Sequence, residues 1–247
     1  MASKSEAGHS VNLANHEKLL TNLTSFGTAY NPSKPDLKLE ALFAQQTDSK
    51  SATTSVNAAE SLKKNAISER VDFFIELDKL VTRSNNALKA SDSNIKLDEN
   101  ARTLVRKLMG RRSKPKKTEE EKKAAILDGK PIIEKSASQR DFDSCIGNYD
   151  KYISLLTSIK AYNLNEEDLK ITSLQTFNKN LIAKNSAAIQ ANIAVKKAQN
   201  LRDKVMYSVN TGLVDTTVDV KNYVKSVFGA SSPEYKSISG LKFINYR

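Results

Sequence analysis

What this chain has little of narrows its fold before any motif is sought. It contains no tryptophan, and aromatic residues make up 6% of its 247 positions. There are 8 glycines and 5 prolines. Sandwiches and barrels need many tight turns and large β-forming side chains, so the composition argues against both and favours a small number of long helices. A single cysteine, Cys145, leaves no disulfide framework within the chain and no pointer to an oxidising compartment. No apolar run reaches the ~20 residues of a membrane-spanning helix, so no constitutive membrane span is expected. The N-terminal stretch lacks the apolar core of a secretion signal and is interrupted by Glu6 and His9. A cytoplasmic location is therefore the default expectation, with non-classical export left open.

Catalytic signatures are also missing. The glycines are isolated and form neither GxxxxGK[ST] nor GxGxxG, so no phosphate-cradling loop is supported. His9 and His16 are the only histidines, seven residues apart, and belong to no HExxH or His/Cys ligand set. Their rings are expected in solvent. Cys145 sits on an amphipathic segment and reads as a small core residue, not a nucleophile. Asp141 with Asp143, and Glu166, Glu167 and Asp168, fall at helix starts, where carboxylates favour the macrodipole. No enzyme activity, cofactor or metal is expected.

What is there is an internal repeat. Tyr30-Asn31 precedes Asp36-Leu37-Lys38-Leu39 and Leu42, and Tyr162-Asn163 precedes Asp168-Leu169-Lys170-Ile171 and Leu174. Each pair is separated by 132 residues, as are Leu23 and Leu155, and Arg70 and Arg202. The period is too long for a solenoid and implies two large halves. Each half reads as a shorter helix, a Tyr-Asn turn and a long helix. The shorter helices cover about 11–29, with Leu19, Leu20, Leu23 and Phe26 at helical spacing, and about 138–161, with Ile146, Tyr149, Ile153, Leu156 and Ile159. The long ones cover about 36–90, with a weak patch at Ser51–Ser55, and about 166–208, with Asn165 as N-cap. Ala58, Ala59 and Ala66, and Ala183, Ala187, Ala188, Ala191, Ala194 and Ala198 with Ile189, Ile193 and Val195, are the expected thin buried seams. The expected fold is all-α: an elongated antiparallel bundle of long helices with a two-fold internal repeat. It divides into 1–92, a basic connector 93–137, and 138–247 with a C-terminal helix and tail, co-folded as one domain. The tail Leu241–Tyr246 alternates apolar and polar residues and suits a short strand or an arm docked on this chain or a neighbour.

Charge is concentrated. The chain carries a net +11, and residues 93–140 hold 14 basic against 7 acidic residues, so most of the excess lies there. Arg102, Arg106, Lys107, Arg111, Arg112, Lys114, Lys116 and Lys117 follow one another with no acid among them. Three readings stand: a solvated hairpin, an arm that contacts phosphates, or a patch that docks on an acidic protein or anionic lipid. No aromatic interleaves these cations, so base stacking is not suggested. Thr118 with Glu121 forms a capping box for a short following helix. The leading functional expectation is a non-enzymatic structural or interaction protein, a helical scaffold that self-associates into a homo-oligomer. The alternative is a nucleic-acid-associated protein acting through 102–117; a helical membrane-active protein is a lesser one.

Overall fold

The computed structural model describes residues 4–111, 118–127 and 139–246, with side chains described from residue 8 onward. Among them the fold is all-α, with eight helices and no strand. They are α1 (Lys4–Ser25), α2 (Leu39–Lys89), α3 (Ile95–Leu108), α4 (Glu119–Leu127), α5 (Phe142–Ser158), α6 (Ile171–Tyr207), α7 (Leu213–Phe228) and α8 (Pro233–Ser239). No described helix is long and apolar enough to cross a membrane.

Helix α2 runs unbroken for 51 residues, through the hydroxyl-rich patch read as its weak point. The reason is local. Thr53, Thr54 and Ser55 each donate to the carbonyl four residues back, of Ser49, Lys50 and Ser51. The hydroxyls thus reinforce the helical turn they would otherwise compete with. Helix α6 begins at Ile171, later than expected, because Glu167–Leu169 forms a separate 3-10 turn; Asn165 does not cap it.

The seam on the long helices is not the alanine stripe. Ala58, Ala183, Ala187 and Ala194 are exposed, as are Ile189 and Ile193, and only Ala188 and Val195 of the expected set are buried. The buried positions recur every seven residues instead. On α6 they are Leu174, Leu181, Ala188, Val195 and Arg202; on α2 the same spacing links Leu42, Ser49 and Val56, then Leu77 and Ser84. A seven-residue period keeps one narrow face toward the neighbouring helices, and the alanines lie off that face.

The two Tyr-Asn corners are built alike. Tyr30 donates its hydroxyl to the Leu37 carbonyl at 2.6 Å, and Tyr162 donates to the Leu169 carbonyl at 3.0 Å. The 3-10 turns Pro35–Leu37 and Glu167–Leu169 and the starts of α2 and α6 keep the same 132-residue separation. Burial holds both phenols protonated and raises that of Tyr162 to about 12. On the shorter helices the separation is 133. Asn12, His16, Leu19, Leu20 and Leu23 are buried, and so are Cys145, Tyr149, Tyr152, Ile153 and Leu156. Leu23 therefore matches Leu156, not Leu155 as first aligned. The helix ends agree: Phe26 N–H donates to Leu23 and Ile159 N–H to Leu156. One residue fewer separates Ile159 from Tyr162 than separates Phe26 from Tyr30.

The chain divides into two compact units, 1–64 with 190–247 and 65–189. In the first, α1, the start of α2 and α7 close a core of Leu19, Leu20, Leu23, Leu42, Val220 and Val224, with Ile238 of α8. The tail is an extended segment docked on its own chain, not a strand. Asn12 takes the Ile244 backbone at both groups, donating to its carbonyl at 2.7 Å and accepting from its N–H at 3.1 Å, while Asn15 donates to the Lys242 carbonyl. Gly8 leaves room for Tyr246, whose ring lies 2.3 Å from where a Cβ would stand. In the second unit, α5 packs on α3 and against Leu77, Val81 and Leu88 of α2 and Leu174 and Leu181 of α6. Arg70 with Asn185 and Phe73 with Phe177 pair α2 with α6, and Arg83 pairs with Asp168 in the turn before α6, numbers rising on one side as they fall on the other. Each unit thus joins a short helix, corner and long-helix start from one sequence half to a long-helix end and following helix from the other.

Candidate functional site

The two histidines are not in solvent. Helix α1 starts earlier than expected, so positions 9, 12, 16, 19, 20 and 23 share its inner face. His9 is 1% exposed and bonds through Nδ1 to the Tyr207 hydroxyl at 2.5 Å. His16 is fully buried, with Nδ1 at 2.7 Å from Gln46 Oε1. A carbonyl oxygen only accepts, so Nδ1 carries the proton. Nε2 is then a buried acceptor with no hydrogen-bond donor. Burial lowers the pKa of His16 below its ordinary value, the bond to Gln46 opposing this only in part. Cys145 lies buried on α5, and burial raises its thiol pKa, as suits a core residue. Among the described residues no three or more His, Cys, Asp or Glu side chains converge as a metal set.

Of the eight basic residues singled out in the connector, four are described. Arg102, Lys107 and Arg111 are exposed at or beyond the outer face of α3. Arg106 is half-buried and turns back to bond Thr103 Oγ1 at 3.0 Å. Ala101 and Leu108 face inward, which sends the cations outward. Arg112, Lys114, Lys116 and Lys117 lie outside the described residues. Helix α4 follows, with the expected capping box made in both directions between Thr118 and Glu121.

The feature that both units present is a groove between the shorter helix and the start of the long one. In the first unit it has a volume of about 860 Å³, walled by Glu17, Leu20, Thr21 and Thr24 of α1 and by α2 from Phe43 to Ala58. In the second it has about 630 Å³, walled by Asp150, Ile153, Ser154 and Thr157 of α5 and by Gln175, Asn178, Lys179 and Ile182 of α6. Every lining residue of the second groove falls on a lining residue of the first, at 133 residues on the short helix and 132 on the long. On the short helix the chemistry is kept: carboxylate, branched aliphatic, hydroxyl, threonine. On the long helix the amide is kept, as Gln46 and Asn178, but Phe43 becomes Gln175 and Lys50 becomes Ile182.

The polar groups in these walls are largely spent. Thr21, Thr24, Thr47, Thr54 and Ser55 donate to carbonyls of their own helices. That leaves hydroxyl oxygens as acceptors and threonine methyls as surface. Asn178 donates to Asp150, and its own Oδ1 is buried without a donor. Such walls present threonine methyls and acceptor oxygens more than free donors. Sequence reasoning missed the grooves because the lining residues are ordinary Thr, Ser and Gln positions, though the 3–4-residue spacing of Glu17, Leu20, Thr21 and Thr24 is legible in hindsight. The chain matches no protein-family model, no curated protein and no solved structure.

Proposed function

We propose that this chain is a non-enzymatic helical interaction protein that self-associates, built from two copies of one helix–corner–long-helix module that exchange their long-helix ends. The observation that supports it best is the recurrence of one groove in both modules, with its short-helix chemistry kept. Two copies of a surface retained with the same side-chain types are a reason to read that surface as a contact face. Size-exclusion chromatography with light scattering over a concentration series tests the reading. Mass rising with concentration to a defined oligomer supports it; a monomer mass throughout overturns it.

A second reading rests on one specific observation, the outward cations of α3. Arg102, Lys107 and Arg111 extend into solvent, and contacts of this kind neutralise phosphates without sequence preference. The expected mark is nucleic-acid binding that weakens steeply with salt. Replacing these three by Gln flattens that salt slope in a gel-shift series; an unchanged slope, or no binding at low salt, removes the reading.

A further inference from the structure

Helix α4 presents an exposed stripe of side chains. Its N-terminal end is fixed by the reciprocal Thr118–Glu121 cap, yet none of its residues is buried. Leu127 is 88% exposed and Ile126 63%. Glu120, Lys123, Ala124 and Leu127 are all exposed and stand at i, i+3, i+4 and i+7, one stripe of a helix. A formed helix of nine residues with an exposed large aliphatic on a polar stripe is a surface suited to a docking partner.

The groove of the first unit carries that counterpart in order. Phe43, 48% exposed, and Leu20 form an apolar end. Glu17 comes next, beside His16, which bonds Gln46, one turn along α2 from Phe43. Lys50 follows, one further turn along α2. Neither Glu17 nor Lys50 is in an ion pair with a described residue. The sequence along the groove is therefore apolar, acid, cation. Along α4, read from its C-terminal end, it is Leu127, Lys123, Glu120: apolar, cation, acid. Phe43 to Lys50 and Leu127 to Glu120 are both seven residues, roughly 10 Å of helix rise. The groove of the second unit does not repeat this order, since Gln175 stands in for Phe43 and Ile182 for Lys50.

We propose that α4 of one copy docks in the α1–α2 groove of a second copy, antiparallel to α2, with Leu127 on Phe43 and Leu20, Lys123 toward Glu17 and Glu120 toward Lys50. This rests on the reading that the chain self-associates, and it names the surfaces. Ala124 on the same stripe is small enough to let the helix backbone approach the threonine-lined wall. The charge order fixes direction, because α4 reversed in the groove sets Glu120 against the apolar end and leaves Leu127 against Lys50.

The test uses the full chain in sedimentation equilibrium. Leu127→Glu weakens association by roughly tenfold or more, as loss of a large apolar anchor does. Lys50→Glu also weakens it, and adding Glu120→Lys to that variant restores it. Ile182→Glu, in the other groove, leaves it unchanged. Helical content by circular dichroism stays at the wild-type value in all four, since each site is exposed. If the chain associates and neither Leu127→Glu nor the charge swap matters, the docking is wrong while the self-association reading stands. If the wild type is monomeric throughout, both fall.

Discussion

The two units solve the same packing problem with different chemistry. Where the second unit buries Tyr149 and Tyr152 under α5, the first buries His16 and Leu19 at the matching positions of α1. The tyrosines fill their core with rings: Tyr149 lies edge-on to Phe177, which stacks on Phe73, and Tyr152 reaches Ser84 at 3.0 Å. The first unit has the C-terminal segment docked on α1 through Asn12 and Asn15. Tyrosine at one position thus stands where histidine stands at the other, and both histidines of the chain, His9 and His16, lie in the first unit. That difference can be broken or sharpened by measurement.

The largest effect is expected where the units agree. Leu23→Ala and Leu156→Ala remove fully buried leucines at matched positions, and each should cost about 2–5 kcal/mol by urea denaturation. Similar losses would support equivalent modules; a loss in one alone would mean that the cores have diverged in how well they relax. Gly8→Ala should come next. Its Cβ meets the Tyr246 ring, so the tail must shift, at about 1–3 kcal/mol, the usual cost of overpacking. Faster amide exchange at 241–246 with the second unit unchanged is the expected signature. Tyr30→Phe and Tyr162→Phe each orphan one buried carbonyl, of Leu37 and of Leu169, and should each cost about 1–2 kcal/mol. Unequal costs would argue against equivalent corners.

The smallest effect concerns pH. The folded pKa of His16 lies below its unfolded value of about 6.5, so the unfolded chain binds the extra proton first. Stability is then fully present above about pH 6.5 and is lost as pH falls toward the folded pKa, by at most ~1.4 kcal/mol per pH unit. His16→Tyr, which copies the residue at position 149, should flatten the slope of stability against pH in that window. An unchanged slope would assign it to His9 or to the carboxylates.

Much of the helical layout was legible in the chain itself. The two stretches free of glycine and proline, the Tyr-Asn corners and the Thr118–Glu121 cap are local signals, and local signals survive folding. The seam was not legible. Alanine marks helix in both exposed and buried places, so the Ala-rich face of α6 looked like a core, while the buried row includes Ser49, Ser84 and Arg202, which composition alone sends outward. Nor were the histidines legible, because a shift of helix α1 by a few residues decides which face they join.

The amino-acid sequence by itself determined that this protein is helical, basic at its connector, and carries like Tyr-Asn corners 132 residues apart, since propensity, charge and spacing are properties of neighbours along the chain. Which halves meet was decided only by tertiary structure. The cores join α1 to α7 and α5 to α3 across the repeat, because burial rewards any complementary apolar face regardless of its place in sequence. The matched grooves are of the same kind: each exists only where two helices, distant in composition and ordinary in sequence, are brought side by side.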